Sequence, residues 1–185
     1  MAYFAAVLAR TGAGWDVSET ELDNVEALTD LVDLAREAAE DDDTVLVFIE
    51  QEDAWFAVLR VDGEEDPRIF VSDGAAAARS SYGAILTDEL VDHSGDDFDD
   101  LDDLVAELDD EDAADGEQDG DEEAAGAVGP GGVPVGPLGD AELLAEYGLG
   151  ATELTDLAGE GAVPGEALAE IAEAIGCGEI LEAVR

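Results

Sequence analysis

The chain brings one histidine and one cysteine, His93 and Cys177, to any nucleophilic or metal chemistry. A catalytic zinc of the base-modifying type needs a His or Cys ligand, a C-x-x-C pair and a nearby glutamate to move protons. Here His93 is followed by Ser94 and Gly95, and Ile180 stands where the second cysteine of the pair would be. Cys177 lies between Gly176 and Gly178 and reads as a small residue in a helix turn rather than as a nucleophile paired with His93. GPGG (129–132) has no lysine and no strand before it, so it is linker and not a phosphate cradle. Asp115, Glu117, Asp119 and Gly120 match the opening of a calcium-binding loop, but its twelfth position is Gly126 instead of Glu. No metal site, cofactor or catalytic residue is expected, and the chain reads as a non-enzyme. With 51 carboxylates present, no acid–base pair can be singled out.

The arginines discriminate better, because cations are scarce. There are six, with no lysine at all. Arg36, Arg60, Arg68 and Arg79 sit in an acidic N-terminal region, where each can neutralise neighbouring acids or lay its stem over the core edge. The sharper expectation is that Arg60, Arg68 and Arg79 meet on one surface and recognise an acidic group or a partner, with Trp55 as a further partner-binding candidate.

Those residues are set in a chain of formal charge −45, and residues 88–123 hold 20 Asp or Glu in 36 positions. No segment is basic, so none carries the phosphate-neutralising footprint of a nucleic-acid binder. The favoured partners are cations or proteins with a basic face, toward which such a field also steers encounter. A single cysteine permits no internal disulfide and agrees with a reducing interior. The apolar opening stretch is too short for a signal core or a membrane span, which makes the expected location cytoplasmic.

The elements that must position the arginines follow from hydrophobic period. Residues 3–9 predict a strand, with a turn at 11–14. Ser18 and Glu21 form an S-x-x-E capping box, and Leu22, Val25, Leu28, Leu31, Val32, Ala35 and Ala39 continue it as one stripe of a helix to about residue 39. TVLVFIE (44–50), AWFAVLRV (54–61) and RIFVS (68–72) predict three strands of a meander. Asp73 suits the N-cap of a short helix over 74–82. The order β-α-β-β-β-α implies an α+β domain at 1–90, its sheet mostly antiparallel and its helices on one face.

Residues 91–137 are acidic and then rich in Gly and Pro, and read as a disordered linker. Within it Phe98, Leu101, Leu104, Val105 and Leu108 recur at helical spacing. From 138 to 185 short helices resume. One ends at Gly148, Thr152 caps the next, Pro164 opens a third over 165–175, and 179–184 closes the unit.

With the segments laid out, MAYFAAVLAR (1–10), DDDTVLVFIEQEDAWFAVLRVDGEEDPRIFVSD (41–73) and AAAARSSYG (75–83) resemble the actinobacterial tRNA adenosine deaminase-associated protein family. The blocks 137–150 and 164–184 are similar to that family's closing region. The resemblance spans both foldable segments and skips the acidic run. It implies an accessory protein that binds a tRNA adenosine deaminase, without catalytic residues of its own to carry over. The alternative is a small-molecule-sensing or regulatory domain with its ligand near the arginines of the sheet. Direct nucleic-acid or membrane binding is not expected under either.

Overall fold

Strands with unbroken apolar runs, such as VLVFI in TVLVFIEQ and WFAVL in WFAVLRVD, need cover on both faces of a sheet, and both faces are covered here. The computed structural model of the chain describes residues 3–12, 14–38, 44–63, 65–91, 133–159 and 161–184. Six strands form one antiparallel sheet: β1 (Tyr3–Thr11), β2 (Gly14–Glu19), β3 (Thr44–Gln51), β4 (Trp55–Asp62), β5 (Arg68–Val71) and β6 (Leu138–Gly139). Their order across the sheet is β2-β1-β3-β4-β5-β6. Six helices accompany them: α1 (Leu28–Ala38), α2 (Gly74–Ala77), α3 (81–91), α4 (Ala151–Leu157), α5 (Pro164–Ala174) and α6 (Gly178–Val184). The α+β class with a largely antiparallel sheet is therefore as expected.

Alternation along each strand assigns its side chains to one of two cores. Val45, Val47 and Ile49 of β3 pack with Trp55, Ala57 and Leu59 of β4 under Leu31, Val32 and Ala35 of α1 and Leu86 of α3. The intervening Leu46, Phe48, Phe56 and Val58 turn to the opposite face, with Phe70 of β5. There they meet Leu143, Leu144, Leu168, Ile171 and Leu181 of the C-terminal segment. The sequence pattern predicts cover on one face; the second layer comes from residues 141–184.

Several local expectations change. Ser18, expected to cap a helix, lies in β2, paired with Val7 of β1. The helix begins ten positions later, at Leu28, where the Asp30 carboxylate accepts from the backbone N–H groups of Glu26 and Ala27 (3.0 and 2.9 Å). Leu22 and Val25 are buried as the stripe predicts, but on irregular chain, since burial alone does not demand a helix. The helix expected over 74–82 splits into α2 and α3. Asp73 caps the first part as expected, its carboxylate accepting from Ala76 N–H at 2.9 Å. Ser80 then accepts from Gly83 N–H at 3.0 Å and starts the second. A Cβ on Gly83 would stand 2.3 Å from the Ala77 carbonyl oxygen, so the two helices meet over bare backbone.

The helix expected to end at Gly148 is instead β6, a turn and a single 3-10 turn over Ala145–Tyr147, although Gly148 does stop it in the left-handed conformation (φ 96°). Residues 133–137 already belong to the fold: Val133 is buried, and the Gly136 carbonyl accepts from Gly74 N–H at 2.8 Å. His93, the Phe98–Leu108 spacing, the calcium-loop-like run and the rest of the expected linker from 92 to 132 lie outside the described residues.

Gly139 makes β6 possible. It sits at φ 98°, and a Cβ there would fall 2.1 Å from the Ile69 carbonyl oxygen. Gly139→Ala is therefore expected to destabilise the fold by about 2–4 kcal/mol through strain and overlap together. The denaturant midpoint measures this, and a midpoint unchanged from wild type would show that the strand pair tolerates the shift.

Candidate functional site

Arg60 occupies the even-numbered face of β4, between Phe56 and Val58 on one side and the C-terminal segment on the other. It is buried, and every branch of its fork is used. Nε donates to Asp62 at 2.7 Å, Nη1 to the Leu143 carbonyl at 2.8 Å, and Nη2 to Glu146. The guanidinium also lies over the Tyr147 ring, 5.2 Å from its centroid. Burial by itself would lower the pKa of Arg60; the hydrogen bonds to Glu146 and Asp62 outweigh it, and the net shift is upward. Arg60 thus fastens residues 143–147 to the sheet. A second fastening lies beside it, where Trp15 Nε1 donates to the Ile175 carbonyl at 3.1 Å and Arg10 stacks over both Trp15 and Tyr147.

Of the four partner-binding candidates, the structure brings Arg60 and Arg68 side by side, directly opposed across β4 and β5. Arg68 is half-exposed and its Nε donates to Asp140 at 2.6 Å. Arg79 is exposed just after α2 and makes no ion pair with another described residue. Trp55 is fully buried in the first core, where its indole N–H donates to Gln51 Oε1 at 2.7 Å.

Sequence reasoning did not single out one further concavity of the described residues. A cleft of about 500 Å³ opens between α1, the β4–β5 turn, β5 and the end of α3. Val32 and Ile69 are buried in its floor, with Leu28 and Leu90 half-buried beside them. Asp33, Arg36, Glu65 and Asp66 stand exposed around it, with Arg68 and Asp140 at one end. Arg36 donates from Nε to the Gly63 carbonyl at 3.1 Å, which pins the β4–β5 turn to α1. The spacing of Leu28 and Val32 on α1 was legible in sequence; that Ile69 and Leu90 close the same cleft was not.

Cys177 is buried among the C-terminal helices, and loss of solvent pushes its thiol up to about 11. It is a neutral core residue at ordinary pH. Because the folded value exceeds the ordinary 9.0, the unfolded chain releases its proton first as pH rises. The stability linked to the thiol is whole below about pH 9 and drains away between about pH 9 and 11. The wild-type chain is expected to lose more stability across that window than Cys177→Ala, by on the order of 2 kcal/mol. Parallel pH-dependent urea titrations of the two check it. Among the described residues, no group of three or more His, Cys, Asp or Glu could hold a metal ion. Nor, among them, is any helix long and apolar enough to cross a membrane.

No curated protein and no solved structure shows a significant match to this chain. One family does, over residues 3–178, a range that takes in all six strands, the cleft and the Arg60 fastening. By that match, the chain belongs to the family of Rv3753c-like tRNA adenosine deaminase-associated proteins.

Proposed function

We propose that this protein is a non-catalytic accessory of a tRNA adenosine deaminase, acting in the cytoplasm by binding that enzyme. The family match over residues 3–178 carries the reading. The charge agrees with it, since a formal −45 repels tRNA itself and favours the basic face that an RNA-modifying enzyme presents to its substrate. The engagement of Arg60 and Arg68 with Asp62, Glu146 and Asp140 argues against a small ligand held by those arginines.

Pull-down of the full chain against the deaminase of the same organism tests the proposal. A complex should form at about 50 mM salt and weaken strongly by about 500 mM, where charges are screened within a few ångströms. Absence of a complex at the lower salt overturns the reading.

A further inference from the structure

We propose that the cleft between α1, β5 and α3 is the docking site for a cationic amphipathic segment of a protein partner, with apolar side chains in its floor and Arg or Lys at its rim. Identifying that partner as the deaminase rests on the function proposed above; the chemistry of the cleft does not.

The floor is the first reason. Leu28 and Leu90 pack against the first core yet remain half-open to the cleft, beside Val32 and Ile69. Covering such a surface recovers about 25 cal/mol for each Å² of apolar area removed from water. About 500 Å³ is room for a few side chains, and Pro67 at the β4–β5 turn stiffens one wall.

The charges select the occupant. Both arginines at the cleft already serve the protein: Arg36 holds the Gly63 carbonyl, and Arg68 holds Asp140. Asp33, Glu65 and Asp66 make no ion pair with any described residue. Carboxylates around an apolar floor attract a cation and repel phosphate or a second acidic chain. An arginine suits the rim best, because its fork can bond a carboxylate at two points while its stem lies on the floor.

The test uses the full chain and two variants of equal net charge. Asp33→Lys with Asp66→Lys alters the rim. Glu166→Lys with Glu170→Lys makes the same change on exposed positions of α5. The probe is a synthetic helical peptide with Leu on one face and Arg on the other, titrated by calorimetry at physiological salt. The rim variant should bind about tenfold more weakly than wild type, and the α5 variant within about twofold of it. Equal losses in the two variants, or no binding by wild type, overturn the proposal. Thermal melts confirm that both variants fold.

Repeating the titration with the deaminase separates the two readings. If the enzyme binds but the rim variant binds it as well as the α5 variant does, the cleft assignment falls and the accessory role stands. If the peptide uses the cleft but the enzyme does not bind, the accessory role falls and the cleft stands.

Discussion

Truncation after residue 137 is expected to destroy the cooperative fold rather than release a stable N-terminal domain. The cut removes β6, α4, α5 and α6, and lays bare Leu8, Leu46, Phe48, Phe56, Val58 and Phe70. Each such side chain contributes about 1.5–3 kcal/mol when fully buried. Six of them together match or exceed the net stability of a typical domain, about 5–15 kcal/mol. The truncated chain should bind a hydrophobic dye, aggregate and show no cooperative melt. A sharp unfolding transition close to that of the full chain would show that the first core stands without the second layer.

The second large effect is expected at Arg60. Arg60→Ala removes one buried cation, leaves the Leu143 carbonyl without its side-chain donor and takes one partner from each of the Asp62 and Glu146 carboxylates, Asp62 keeping the Thr44 hydroxyl. Losing one partner of a buried charged network costs about 3–5 kcal/mol. Glu146 is mostly exposed and can turn to water, so about 2–3 kcal/mol is expected here. Arg68→Ala, at a pair that water already reaches, should cost less than about 1 kcal/mol. Urea unfolding of the two variants, followed by tryptophan fluorescence, compares them directly. Equal losses would mean that the Arg60 fork does not fasten the C-terminal segment.

These two expectations mark where sequence reasoning reached and where it stopped. The strands β3, β4 and β5, the Asp73 cap, Pro164 at the start of α5 and Gly176 after it were legible, because each is written in residues adjacent along the chain. Strand β2 was hidden by Ser18 and Glu21, which imitate a capping box while their backbone pairs in the β1–β2 hairpin or follows it. The arginines were correctly seen as unusual, but their tasks depend on partners distant in sequence: Glu146 for Arg60, Asp140 for Arg68, Tyr147 for Arg10. No local pattern carries such a pairing. The cleft is of the same kind, since Leu28, Ile69 and Leu90 come from three separate elements.

By itself, then, the sequence determined the class of this protein, the family it belongs to, its acidity and the periods of most of its elements. Hydrophobic spacing and turn residues act over a few neighbours, and net charge needs no fold at all. Only the tertiary structure decided that the C-terminal helices complete the second face of the sheet. It also decided that Trp55 is core, that Arg60 is a fastening, and that a partly open apolar surface lies between α1, β5 and α3 with exposed acids around it. Those outcomes depend on which buried faces find each other across a long separation, where burial outweighs local preference.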